Sequence, residues 1–329
     1  MILSRAPYRI SLGGGGTDLP SYYERHGGFI LSAAVDKFLY IYINRPAADN
    51  FIRLKYSRYE QVVDAAELEH DLVRLSLGHL AIGPSLEIAS MADVPAGTGL
   101  GSSGTYLVAL LLALRELKRE RIATHELAEE ACHIEMDLAK HPAGKHDPYL
   151  AAFGGVTCLE IATDGAVAVT PLNVATSTLD DFRSNVLLFY TGVVRRSSEI
   201  LEAQRQDTQR EDPVVVESLH RTKEIGYRVK EALEAGDLER FGLLLDEHWQ
   251  NKKRRSTKIS DPNLDRWYEM VKEQGGLGGK VMGAGGGGFF MFYCPQRAKA
   301  GIRRALTAEG LREMPYSFDL EGAKVVANF

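Results

Sequence analysis

Residues 95–104, Pro-Ala-Gly-Thr-Gly-Leu-Gly-Ser-Ser-Gly, constrain what this chain can become more than any other stretch. Before them, residues 86–90 read as a strand; after them, the apolar spacing from Thr105 to about Arg119 reads as a helix. Glycine adopts backbone conformations closed to other residues and lets the chain approach a bound group closely. A glycine turn feeding a helix N-terminus aims several N–H groups, and the positive end of the helix, at one point. A di- or triphosphate is well accommodated there. Adjacent serines cap many helices, but they also offer hydroxyls, one of which could ligate magnesium. Such turns also serve packing alone, yet this density of glycine and serine in ten residues favours phosphate.

Better-known phosphate motifs fail on context. Gly99, Gly101 and Gly104 satisfy GxGxxG, as do Gly283, Gly285 and Gly288. A dinucleotide fold needs strand, glycine turn, helix and a second strand carrying an acidic residue. After Gly104 the helix leads to another helix, and after Gly288 comes Phe289-Phe290-Met291-Phe292, which reads as a strand. A nucleotide-cofactor oxidoreductase is therefore disfavoured. The Walker A pattern fails as well, because Val281 follows Gly279-Lys280 and Gln274 occupies the place of its first glycine.

At 329 residues the chain can hold two domains. A net charge of -5 carries no basic footprint, so nucleic acid is not an expected partner. Cys132, Cys158 and Cys294 are scattered and odd in number, which argues against a disulfide framework and fits a reducing cytoplasm. The N-terminus lacks the pattern of a signal peptide, and the longest apolar run, 106–114, is too short to span a bilayer. No metal-ligand spacing of His or Cys is present, and the choice between monomer and homodimer is open.

Strands are expected at 29–35, 39–43 and 86–90, a helix from about Thr124 to Ala139 stopped by Pro142, and a hairpin over 154–161 and 167–169. The chain turns polar over 170–185, and residues 186–190 begin a new strand. This divides an N-terminal domain, 1–180, from a C-terminal one, 181–329. The second half reads as long helices near 196–208, 213–234, 237–250 and 261–274, then a strand over 288–294 and a final helix and strand. Strands and helices without regular βαβ repeats indicate α+β.

Pro-x-x-x-Gly-Leu-Gly-Ser-Ser-Gly at 95–104 closely resembles the phosphate-binding signature of the GHMP kinases. Ala6-Pro7-Tyr8-Arg9-Ile10 through Gly16-Thr17-Asp18 is similar to that family's first motif, and Lys280-Val281-Met282-Gly283 through Phe289 to its third. The resemblance covers nearly the whole chain, with the motifs in order. Within the family, Gly13-Gly14-Gly15-Gly16-Thr17-Asp18-Leu19-Pro20 departs from the galactokinase form. It looks like the branch of D-glycero-D-manno-heptose 7-phosphate kinases, as do Tyr190-Thr191-Gly192, 196–201, His248-Trp249 and Lys252-Lys253.

The resemblance implies a two-domain α+β fold, an N-terminal mixed sheet with helices followed by a ferredoxin-like C-terminal domain. It implies ATP and Mg2+ as cofactors and a sugar or sugar phosphate as the small-molecule partner, phosphorylated at its anomeric hydroxyl. A galactokinase- or fucokinase-like sugar 1-kinase and a non-catalytic sensor of ATP and sugar are the alternatives. Gly97, Gly99, Leu100, Gly101, Ser102, Ser103 and Gly104 would hold the nucleotide phosphates, and Ser103 with Glu135 the metal. Without the motif, Glu135 reads as a surface glutamate on an amphipathic helix.

Asp147 would be the catalytic carboxylate, although Asp147-Pro148 is also a common turn. Arg9 would neutralise charge in the transition state. The related kinases carry glutamine on either side of this aspartate, whereas here His146 and Pro148 flank it, which bears on sugar choice. Gly16, Thr17, Asp18, Lys145, His146, Gly285 and Gly286 fall on the substrate side. A second phosphate would need its own cations. Arg196 is the first candidate, with Arg195, Lys145 and the run 252–255 as alternatives, since charge runs of this kind are usually solvated helix faces. The adenine pocket is not legible, and 55–57 is a weak candidate for it.

Overall fold

A computed structural model describes residues 1–193 and 197–329. Two long apolar strands, β1 (Ile2–Gly13) and β2 (Gly28–Asn44), form an antiparallel pair on which the N-terminal half is built. Residues 29–35 and 39–43, expected as two strands, are parts of one. The register slips between Pro7 and Tyr8, so that Asp36 and Lys37 of β2 are accommodated as a bulge. Pro7 has no N–H to give the ladder, which is where a slip costs least.

Around this pair lie β3 (Ile52–Lys55), β4 (Tyr59–Val62), β5 (Leu86–Ala92), β6 (Val156–Ile161) and β7 (Val167–Pro171). β2 carries both β5 and β6, one along each half of its length. Only β3 and β5 run parallel among the pairs of this sheet, so the sheet is mixed. The helix Ser102–Leu117 packs its buried apolar residues across β1 and β2. That places its N-terminus, and the glycine turn before it, at one end of the sheet.

The expected helix from Thr124 to Ala139 is α-helical only over Thr124–Cys132 and widens into a π-helical turn over His133–Leu138. Ala139 N–H bonds the carbonyl of Ile134, five residues back. Such turns are rare and cluster at functional sites. Here the turn buries Glu135.

The second half builds a four-stranded antiparallel sheet from β8 (Val186–Tyr190), β9 (Gly278–Val281), β10 (Phe289–Tyr293) and β11 (Arg312–Glu313). Its order is β11-β8-β10-β9, the ferredoxin-like arrangement. Three of the helices between β8 and β9 start on aspartate caps. Asp212, Asp237 and Asp261 accept backbone N–H groups at the starts of Pro213–Glu234, Leu238–Lys253 and Pro262–Glu273. Proline occupies the first turn of two of them, where its missing N–H costs nothing. Trp249, Phe290 and Phe292 form part of a separate core beneath this sheet.

Two features were not expected. Residues 170–185, read as merely polar, contain the helix Thr176–Asn185. The last strand, β12 (Lys324–Asn328), pairs with β1 and so extends the N-terminal sheet. A cut at 180/181 therefore assigns β12 by sequence to one half while its hydrogen bonds lie in the other. All three cysteines are free and buried. Among the described residues no helix is long and apolar enough to cross a membrane.

Candidate functional site

A cleft of about 940 Å³ runs between the two halves, lined from one side by β1, the glycine turn and the loop before Asp147, and from the other by residues around Lys252 and Lys280. Gly97, Gly99 and Gly101 of the turn all adopt left-handed backbone (φ 75°, 82° and 89°), and with Ser102 and Ser103 they line the cleft. Gly101 is the residue before the helix and makes no side-chain cap. The first N–H groups of Ser102–Leu117 are left for a bound anion.

Two of the expected phosphate-binding positions do other work. Leu100 is fully buried in the core, and its carbonyl accepts the N–H of Arg9. Gly104 stands where a Cβ would come within 2.7 Å of the Pro148 nitrogen and 2.8 Å of Asp147 Cβ, so its lack of a side chain lets the Asp147 segment close on the helix.

Ser103 and Glu135 meet in a direct hydrogen bond, the hydroxyl donating to the carboxylate. Glu135 is buried, and no cation among the described residues pairs with it. Burial raises its carboxyl to about 7, and the Ser103 bond only partly opposes this. A hydroxyl and an uncompensated carboxylate are hard oxygen donors suited to Mg2+, which binds through one or two protein oxygens together with substrate phosphates. The described residues hold no cluster of three or more His, Cys, Asp or Glu that could cage a metal alone. The donor set fits an ion that arrives with phosphate.

Asp147 lies in the first turn of the helix His146–Phe153, with 29% of its side chain exposed toward the cleft. Arg9 Nε donates to Oδ1 at 2.8 Å, and Arg9 Nη2 stands 2.6 Å from the same oxygen. Arg9 Nη1 donates to the Gly99 carbonyl at 2.6 Å. One guanidinium thus joins the carboxylate to the glycine turn. Burial works to raise the Asp147 carboxyl, but the charge and hydrogen bond of Arg9 outweigh it and hold the group below its ordinary value.

The residue before it is fixed too. Ser32 gives its proton to the Ile10 carbonyl at 2.8 Å, so His146 Nε2, 2.8 Å from Ser32 Oγ, is the donor of that pair. The His146 lone pair is then on Nδ1, which is 3.5 Å from Asp147 Oδ1. Burial pushes this imidazole down to about 3, so it is neutral.

Asp18 lines the same end of the cleft, its carboxylate accepting N–H groups from Gly16 (3.1 Å) and His146 (3.2 Å). Burial and the neighbouring charge of Asp147 raise its carboxyl. Gly16 lines the cleft beside it. Thr17 does not: its hydroxyl bonds the Gly14 carbonyl and receives the Phe29 N–H, stapling the turn from within.

Lys145 also departs from expectation. Its ammonium is held by both oxygens of Glu129 (2.7 and 2.9 Å) and by the Gly165 carbonyl, off the cleft lining. Gly285 and Gly286 pack on Ile259 instead of the cleft, Gly286 donating its N–H to the Ile259 carbonyl. The third glycine motif meets the phosphate turn backbone to backbone. A Cβ on Gly283 would lie 2.7 Å from Gly99 Cα, and Phe289 N–H bonds the Thr98 carbonyl. Arg195 and Arg196 lie outside the described residues.

Sequence reasoning missed one group and held another only as an alternative. At one end of the cleft Tyr56, His70 and Tyr106 form an aromatic set. His70 stacks on Tyr106 (centroids 5.1 Å, 20°) and meets Tyr56 edge-on. His70 Nδ1 and the Tyr106 hydroxyl are buried without a hydrogen-bond partner among the described residues. Of these, only 55–57 had drawn notice, and His70 gives no sequence signal. On the opposite wall His248, Lys252, Arg255 and Lys280 are all buried and line the cleft. The run 252–255 stood among the alternatives for a second phosphate, and His248 and Lys280 fall in the family-like segments.

Family models describe the same two halves: "GHMP kinases N terminal domain" matches residues 62–155 and "GHMP kinases C terminal" residues 229–311. The chain is 26% identical to the D-glycero-alpha-D-manno-heptose 7-phosphate kinase of Campylobacter jejuni, over 98% of both chains. It is 27% identical to a galactokinase of Roseiflexus, over 87% of this chain and 82% of that one. A solved D-glycero-D-manno-heptose 1-phosphate kinase from Bacteroides thetaiotaomicron superposes over 100% of both chains, with TM-score 0.82 and 27% identity.

Proposed function

The chain belongs to the GHMP kinases, as a sugar kinase, and from that premise we propose that it transfers the γ-phosphate of ATP to the anomeric hydroxyl of D-glycero-D-manno-heptose 7-phosphate, giving the 1,7-bisphosphate. The observation that carries the reading is the Arg9 bridge. A carboxylate open to the cleft and a glycine turn at a helix N-terminus are held one guanidinium apart. Phosphoryl transfer needs little more from a protein than an acceptor hydroxyl in line with a neutralised phosphate.

In this reading the phosphates lie on the backbone of 97–103 and the base extends toward Tyr56, His70 and Tyr106. Ser103 and Glu135 would hold Mg2+, which would screen the phosphate charge and fix its orientation. Glu135, whose carboxyl is raised to about 7 in the free protein, would serve as a ligand in its ionised form. Asp18 receives sugar hydroxyls at the carboxylate that already faces the cleft.

Asp147 accepts the hydrogen bond of the attacking hydroxyl. Because Arg9 holds its carboxyl low, Asp147 is a weak base. It orients the hydroxyl and takes its proton late, as the bond to phosphorus forms. Arg9 then lies between the two reacting groups, where negative charge spreads in the transition state.

An ADP-release assay with Mg-ATP across free sugars and sugar 6- and 7-phosphates, with the new phosphate located by NMR, tests the proposal. Selective turnover of the heptose 7-phosphate at its anomeric position is the expected result. Turnover of a free hexose alone would discard the heptose substrate and keep the kinase. ATP binding without any turnover would favour a sensor.

A further inference from the structure

Three cationic side chains, Lys252, Arg255 and Lys280, are more than nine-tenths buried along one wall of the cleft. None of them pairs with a carboxylate among the described residues. Lys252 Nζ donates to the carbonyls of Val281 (3.0 Å) and Gly283 (2.6 Å). Arg255 donates from Nε to Ser218 Oγ (3.0 Å), from Nη2 to Thr222 Oγ1, and weakly from Nη1 to the Gly15 carbonyl (3.4 Å). Lys280 Nζ lies 3.3 Å from Nδ1 of His248. Every partner is neutral.

Buried Lys and Arg are almost always paired with an opposite charge, because an uncompensated ion in a low-dielectric site is costly. Burial, with the mutual repulsion of these cations, lowers Lys252 to about 7 and drives Lys280 well below its ordinary range. A wall that holds three such groups and opens on a cleft is built for an anion that comes and goes.

Position separates the members. The charge of Arg9 acts on both Lys252 and Lys280, but it is Lys280 whose charge acts on His146, while Arg255 N–H bonds the Lys252 carbonyl at 3.2 Å; Lys280 thus stands toward the reacting centre and Lys252 between it and Arg255. Arg255 stands beyond, against Gly15 and Gly16, the turn that carries Asp18. Gln204, which donates to the Gly16 carbonyl at 3.1 Å, lines the cleft beside it.

We infer that Arg255 and Lys252 form a subsite for a second, non-transferred phosphate at the end of the acceptor sugar remote from the hydroxyl that reacts. The inference rests on the sugar-phosphate reading above and places the selectivity for a phosphorylated acceptor in these two side chains. Lys252 already spends two of its protons on carbonyls and has a third to aim into the cleft. Arg255 supplies a fixed, permanently charged donor with planar geometry suited to phosphate oxygens.

The test compares kcat/KM for a sugar 7-phosphate with that for the same sugar lacking the phosphate, in the wild type, Arg255→Gln and Lys252→Met. Using the ratio within one protein cancels any loss of folded enzyme, and Lys252→Met carries the test if Arg255→Gln does not fold. The expected result is a fall of roughly ten- to a hundredfold in that ratio for each variant, with KM for Mg-ATP changed less than about threefold. A wild type that prefers the phosphorylated sugar, with variants that keep its preference, overturns the subsite and leaves the substrate reading standing. Equal losses on both sugars, or a rise confined to KM for Mg-ATP, assign these cations to the transferred phosphate and also overturn it. A wild type that prefers the unphosphorylated sugar removes both readings together.

Discussion

Arg9 gives two nitrogens to a single oxygen of Asp147, Nε at 2.8 Å and Nη2 at 2.6 Å from Oδ1. Oδ2 accepts no hydrogen bond from the described residues, and the side chain is part-exposed to the cleft. The carboxylate is anchored through one oxygen and offers the other.

An amide in place of that carboxylate keeps the shape and removes the anionic acceptor. Asp147→Asn is expected to lower kcat by on the order of 10²–10⁴ while changing nucleotide affinity less than about threefold. Single-turnover kinetics and equilibrium ATP binding check this. Near-normal turnover would remove Asp147 from the reaction.

Replacing Arg9 removes the main opposition to burial at Asp147, so its carboxyl rises. Arg9→Met is expected to move the acid limb of the kcat/KM profile to higher pH, besides slowing transfer. A slower enzyme with an unshifted acid limb would mean that Arg9 acts on the transferred phosphate and not through Asp147.

Glu135 keeps its proton up to about 7 when folded, against 4.5 ordinarily. An unfolded chain loses that proton earlier, so stability falls as pH rises from about 4.5 to 7, and the cost persists above 7. Metal-free Glu135→Gln is expected to match the wild type near pH 4.5 and to exceed it by up to about 3 kcal/mol at pH 8. Melting curves in chelator across that range measure the difference. With Mg-ATP added the order should reverse, because the variant lacks the anionic ligand. A stability gap independent of pH would contradict the assignment.

The Tyr106 hydroxyl is buried and has no hydrogen-bond partner among the described residues. If a nucleotide base supplies its partner, Tyr106→Phe should weaken ATP binding about three- to tenfold, leave KM for the sugar unchanged, and leave the melting temperature of the free protein equal or higher. Calorimetric titration with ATP and a thermal melt without it separate these effects. A lower melting temperature with unchanged affinity would make the hydroxyl a structural group.

Local chemistry made much of this molecule legible in advance. The glycine turn at 95–104, the helix after it and the aspartate-capped helices of the second half follow from backbone freedom, capping and apolar period, which act over a few residues. The motif at 280–289 was legible as glycine crowding, although its neighbour, the phosphate turn, lies far off in sequence. Nothing local could show that His133–Leu138 would widen into a π-turn and bury Glu135, since that depends on what packs around it.

Charge was the least legible property. Lys145 and Lys252 look alike in sequence, each a lysine near a glycine motif or a basic run. The fold pairs Lys145 with Glu129, outside the cleft, and brings Lys252 into the cleft wall, where its hydrogen-bond acceptors among the described residues are two carbonyls. Likewise His70 and Tyr106 are 36 positions apart, and only the packing of the helices around them stacks the two rings. The sequence by itself determined the family of the fold and the glycine turn at the start of its helix. Tertiary structure alone decided which charges are neutralised and which are left facing the cleft, because a side chain's counter-ion is chosen by contacts between segments remote in the chain.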